Sequence, residues 1–211
     1  LYALVHVNGS DNLSVCDERW WAEWEKVTNF NLGNTCCILK KEDSTDLVLL
    51  KVAFGETVIR WRFLSLYRIL ERGYLKSILQ KLQQEFMKAP KDTVEEASHR
   101  LDDEYSQFVA LVKDHDMSSF FEDFATCIES LSDSMNKYAI MLKRDLSNNR
   151  SSKNSKYENG VFLCYKVRCS IVHAGASALV IEEFSDADDA LRSLVTPLEN
   201  AVMKYLDIST I

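Results

Sequence analysis

Chain breakers are scarce in this sequence: six glycines and two prolines, Pro90 and Pro197, among 211 residues. That leaves too few tight turns for a strand-rich sandwich and favours long helices. Long apolar runs are also missing, and no stretch approaches the ~20 residues that a membrane-spanning helix needs. No basic-then-apolar signal pattern opens the sequence, so a cytoplasmic protein is expected. Metal-ligand spacings are absent too. Cys16, Cys36, Cys37, Cys127, Cys164 and Cys169 form no C-x-x-C pair, and His6, His99, His115 and His173 complete no zinc pattern. Reduced, mostly buried thiols are expected, with no metal and no cofactor. What is present is ordinary globular composition, 46% hydrophobic and 27% charged, which excludes a disordered chain. The net charge of −7 argues at first sight against a polyanionic partner.

Two regions read differently. In residues 1–56, Leu1–Val7, Thr35–Lys41 and Asp46–Phe54 are apolar and β-branched, so strands are predicted there. Asn8-Gly9 marks a turn, and Glu42–Thr45 would close a hairpin between the second and third strands. Trp20 and Trp24, at i,i+4 spacing, would pin a short helix to the core, or would stack a base or bind a partner. From residue 57 to 211 the pattern turns helical. Phe63, Tyr67, Leu70, Tyr74, Ile78, Leu82 and Phe86 recur at three- and four-residue steps until Pro90. Thr93 and Glu96 read as a capping box for a second helix through Leu101, Tyr105 and Val112. A third would run from Ser118 to Leu142. The polar, Ser- and Asn-rich residues 148–159 read as a loop. A fourth helix is predicted from Val161 to about Ala174, stopped by Gly175. The fifth runs from Ser185 to about Leu206, with Pro197 inside it as a kink or division. The fold class is therefore mainly α: a bundle of about five helices, residues 57–211, preceded by a small β-containing segment, residues 1–56.

The charge is uneven along the chain. Residues 60–91 carry eight bases and two acids, and residues 136–170 carry the same numbers. Residues 92–135 hold twelve acids against two bases. Each basic segment could be the solvated face of a helix, balanced by acidic neighbours. Alternatively the two adjoin and form a phosphate-binding groove. Arg144, Arg150, Lys153, Lys156 and Lys166 of the second segment are the nucleic-acid-binding candidates.

That second segment ends in Tyr165-Lys-Val-Arg168-Cys169-Ser170-Ile-Val-His173-Ala-Gly175, which places Arg168 and His173 in an R-x4-H arrangement near the end of an apolar helix. This resembles the HEPN superfamily, small helical domains with an R-x4–6-H signature, and most of all its Apea-like branch. Phe63-Leu-Ser-Leu-Tyr67-Arg68-Ile-Leu-Glu71 is similar to the aromatic-Arg-x-x-Glu segment of an early helix there. The likeness spans about residues 57–206. One departure is Cys169, with Ser170 next, where many active members carry a strongly polar residue.

The resemblance implies metal-independent RNA cleavage at a site where two motif helices meet in a homodimer, in a prokaryotic defence or toxin-like effector that an antitoxin or regulatory protein would control. The residue types suit that chemistry. Histidine titrates near neutrality, so His173 can take the 2′-hydroxyl proton or give one to the leaving oxygen. Arg168 stays charged and can hold the scissile phosphate. Residues five apart on a helix lie about 140° apart, so one pair converges poorly and two copies about a two-fold axis are a sensible solution. Glu71 would orient Arg168, or pair with Arg68 three residues earlier; Arg68, Cys169 and Ser170 are the remaining supporting candidates. The alternative is a catalytically inactive HEPN module that binds RNA or nucleotide, or serves as a protein-interaction subunit.

Overall fold

The computed structural model describes residues 3–7, 13–15, 36–39, 44–149, 155–172 and 179–210. The expected Asn8-Gly9 turn, the Trp20–Trp24 cluster and Gly175 lie outside them.

The chain is mainly helical, as its shortage of breakers implies. In order, it forms strands β1 (Ala3–Val7), β2 (Leu13–Val15) and β3 (Cys36–Leu39), then helices α1 (Ser44–Gly55), α2 (Ile59–Glu85), α3 (Pro90–Asp102), α4 (Glu104–Asp114) and α5 (Ser118–Asp133). Helices α6 (Lys137–Asn149), α7 (Lys156–Val172) and α8 (Ala187–Tyr205) follow, with a 3-10 turn, Ile181–Glu183, before α8 and strand β4 (Ile208–Thr210) after it. The sheet order is β2-β1-β3-β4. β1 runs antiparallel to β2, with Val5 opposite Val15, and parallel to β3, with Leu4 opposite Cys37. β4 closes the other edge antiparallel to β3. The sheet thus joins the two ends of the chain.

The described residues form eight α-helices where about five were expected, for two reasons. Asp46–Phe54, read as a strand closing a hairpin, is helical. Its apolar run is ambiguous by itself, and α2 settles it: Leu50 and Ala53, three apart, are fully buried, while Val48 and Val52 are exposed. Asp46, 3% exposed, meets Arg72 Nε at 2.8 Å and Lys76 Nζ at 2.7 Å on α2. Two expected helices are also each divided. Asp103 ends one and caps the next, its carboxylate accepting from the Ser106 amide at 3.0 Å. Met135 adopts φ 66°, and the Asn136 and Met135 amides donate back to the Leu131 and Ser132 carbonyls. That is a Schellman stop, and the Asn136 side chain then caps α6 at the Ala139 amide. Asp116, with φ 53°, makes the same stop after α4.

Four further local expectations are corrected. Pro90 does not merely end a helix; it opens α3 at a position where its missing N–H is harmless. Thr93 is therefore inside α3, its hydroxyl donating to the Ala89 carbonyl at 2.7 Å, and no capping box forms with Glu96. Asn159-Gly160 does not precede a helix but lies within α7, which starts at Lys156. Pro197 does not divide α8; the helix continues on both sides with its ring buried.

The core is built around α2, whose Phe63, Leu66, Tyr67, Leu70 and Tyr74 pack against α8, α4 and α7. Phe108 of α4 sits at the aromatic centre, edge-to-face with Tyr67 and with Phe121, both at 5.3 Å between ring centroids. α5 packs closely on α7, where Gly160 faces the Phe121 backbone.

Glu199 of α8 lies beside Arg62 of α2. Burial raises its carboxyl above the ordinary range, and the Arg62 guanidinium only partly offsets this. A carboxyl whose folded pKa is raised stabilises below its unfolded value, and that contribution is lost as pH rises through the folded one. Glu199→Gln is therefore expected to leave stability at pH 7 unchanged or higher and to flatten the stability–pH curve just above the ordinary carboxylate range. Urea denaturation at pH 4 to 8 checks this; a steeper curve in the variant would contradict it.

Candidate functional site around Arg168

Arg168 is on α7, and its setting follows from helical spacing. Cys164 and Val167 face the core, whereas Tyr165, Arg168 and Cys169, at i, i+3 and i+4, share a partly exposed face. α2 presents Tyr67, Glu71 and Tyr74, again at helical spacing, to the same place. α4 contributes Glu104, its first residue, where a carboxylate is favoured by the helix dipole.

The Arg168 side chain is 18% exposed, with a terminal nitrogen 3.4 Å from Glu71 Oε1 and 3.7 Å from Glu104 Oε1. Its guanidinium carbon lies 5.7 Å from the Tyr67 ring centroid. The Tyr74 hydroxyl donates to Glu104 Oε1 at 2.8 Å, so the second carboxylate is itself held. Burial opposes the charge on Arg168, but Glu104, Cys169 and Glu71 outweigh it and raise its pKa further. Burial, then contact with Cys169, pushes the Tyr165 phenol up to about 12. Burial also raises the Tyr67 and Tyr74 phenols. The arrangement fixes one guanidinium, always charged, at the protein surface between two carboxylates.

Of the residues singled out in the sequence, the structure brings together Arg168, Glu71 and Cys169. Arg68 is exposed on α2, and Glu71 meets Arg168 instead of it. His173, Arg150 and Lys153 lie outside the described residues. Ser170 points the other way. It is 3% exposed, donates to the Val167 carbonyl at 2.7 Å, and accepts from the Tyr138 hydroxyl at 2.6 Å. Having one proton to give, Ser170 leaves Tyr138 as the donor of that pair. Its role is therefore in the core, not beside Arg168. Ser170→Ala is expected to cost about 1–3 kcal/mol, by leaving the Tyr138 hydroxyl buried without its acceptor. Adding Tyr138→Phe should restore most of that loss. A double mutant no more stable than Ser170→Ala in chemical denaturation would contradict this account.

Glu104 and Tyr74 were missed. The available signal was Asp103-Glu-Tyr-Ser106, a helix start that looks like helix interior when one helix is drawn through it.

Many bases of the two basic segments meet acids, most of them from elsewhere in the chain. Arg60 pairs with Asp188 at 2.7 Å and with Glu182, and Arg62 pairs with Glu199. Lys81 pairs with Glu96 at 2.6 Å. Lys166 meets Asp145 at 2.9 Å and lies over the Phe162 ring, and Lys156 lies 3.7 Å from Glu129. Arg144 is exposed on α6. Among the described residues, much of the segregation of charge along the sequence is thus offset by pairs in space, which weakens the field a continuous basic groove would need.

Among the described residues no three or more His, Cys, Asp or Glu side chains converge as metal ligands would, and no helix is long and apolar enough to cross a membrane. Comparison with protein-family models, with curated proteins and with solved structures finds no match for this chain.

Proposed function

We infer that the bundle is a HEPN-type domain and that its Arg168 surface binds an RNA phosphodiester and cleaves it without metal. The observation that carries this reading is the Arg168 guanidinium, aimed by Glu71 and Glu104 and kept part-exposed five residues before His173. A planar guanidinium so held can grip a phosphate and stabilise the charge that grows on it. His173 supplies the proton transfers, and a second copy of the chain, placed about a two-fold axis through the motif helices, supplies the opposing Arg–His pair. The test is cleavage of RNA in EDTA by the parent, Arg168→Ala and His173→Ala. Equal cleavage by all three removes the catalytic reading.

A second reading has its own support. Two carboxylates against one guanidinium, with Cys169 alongside, make the described surface a poor host for further negative charge. A non-catalytic HEPN module that serves as a protein-interaction subunit accommodates that balance better than one that binds RNA or nucleotide there. It predicts association with a partner subunit, and neither RNA or nucleotide binding in fluorescence anisotropy nor cleaved product from the parent.

A further inference from the structure

A cavity of about 370 Å³ lies between α2, α4 and the C-terminal end of α8. Its size falls within the range of small-molecule sites. Tyr74 is the one residue it shares with the cluster around Arg168.

Its walls are rich in donors from three elements: Lys76 of α2, Arg100 of α3 and His115 after α4. Ser77, Gln80 and Gln107 add neutral hydrogen-bonding groups. The floor is apolar and aromatic. Tyr205 lies against α2 at Gly73, where an added Cβ would come within 2.9 Å of its ring, and His115 meets the same ring edge-to-face at 4.9 Å. Only glycine lets that ring sit so close to the helix. The charge around Arg100 is unequal: Glu96 is shared by Lys81 at 2.6 Å and Arg100 at 3.0 Å, one carboxylate for two cations. On the lining itself, Asp46 is shared by Lys76 at 2.7 Å and Arg72 at 2.8 Å, again one carboxylate for two cations, and Asp114 is exposed at the rim. There Asp114 would accept hydrogen bonds from ligand hydroxyls.

We propose that this cavity is a binding site for a small organic anion, a phosphate monoester or a carboxylate with a hydroxylated body. Arg100, Lys76 and His115 hold the anionic group, the two glutamines and Ser77 bond the body, and Tyr205 and Leu111 pack beneath it.

The test is titration calorimetry at low ionic strength with glycerol 3-phosphate, citrate, inorganic phosphate and uncharged glycerol. At least one organic anion should bind with saturable heat, and glycerol should give none. Tighter binding of glycerol 3-phosphate than of citrate identifies the phosphate class, and the reverse identifies the carboxylate class. Arg100→Gln and Lys76→Gln should each weaken binding about tenfold. Ser77→Trp, at an exposed position on the wall, should fill the cavity and abolish binding without touching an ion pair; it keeps the test decisive if Lys76→Gln disturbs the fold. Arg192→Gln, on an exposed stretch of α8, should change nothing. No binding by any anion, equal binding of glycerol, or binding that survives both Ser77→Trp and Arg100→Gln overturns the proposal.

Discussion

Replacing Gly160 by alanine should destabilise the protein by at least about 3 kcal/mol, at the upper end for an added methyl in a packed core. A Cβ built there lies 1.8 Å from the Phe121 carbonyl oxygen and 2.6 Å from its carbon. Both obstacles are main chain, so no rotamer change relieves the overlap; α5 and α7 must separate along a closely packed face. Phe121 would then draw away from Phe108 and loosen the aromatic centre. Gly73→Ala is the internal contrast. The new Cβ there meets only the end of the Tyr205 side chain, at 2.9 Å, and a small ring shift relieves it. Alanine also gains about 1 kcal/mol of helix propensity over glycine, so this variant should stay close to the parent. Urea denaturation of both measures the difference. A loss under about 1 kcal/mol for Gly160→Ala would mean that the two helices are not in such close contact.

On the proposed function, Arg168→Ala should lower RNA cleavage about 10²–10³-fold, equivalent to about 3–4 kcal/mol of barrier, the usual effect of deleting one pre-aimed donor to a developing anion. The fold should survive. Glu71 and Glu104 are about a quarter exposed, so water can screen the charges left facing each other. Arg168→Lys should also fail to restore full activity, because a point charge cannot engage two carboxylates and a phosphate as a planar fork does. Single-turnover cleavage at saturating RNA, with thermal unfolding in parallel, separates lost chemistry from lost structure. Unchanged cleavage with Arg168→Ala would remove this residue from the reaction.

How much could be read in advance differed by element, for physical reasons. The register of α2 was legible because its apolar stripe recurs from Phe63 to Ile78, and averaging over several turns makes the period clear. The division between α5 and α6 was not, since Met135 carries no turn signature, and a non-glycine residue at φ 66° reads as continued helix. Arg168 and Glu71 were both singled out, yet their meeting joins positions 97 apart in the chain. Glu104 was hidden by drawing one helix across Asp103. Ser170 shows the opposite error: its neighbours in sequence suggested a site, while its face of α7 turned it toward Tyr138.

By itself the sequence determined a mainly helical protein, because few breakers and three- and four-residue apolar spacing are local properties that each segment carries alone. It also placed a guanidinium and an imidazole five residues apart, at Arg168 and His173, groups whose chemical character does not depend on the fold. Only the tertiary structure decided which charges were already spent. Asp46, Asp188 and Glu199 are remote in sequence from Arg72, Arg60 and Arg62, and packing α1 and α8 against α2 brings each pair together. Coulomb energy depends on distance in space, so two runs of basic residues read along the chain could not show whether they formed a groove or were neutralised one by one.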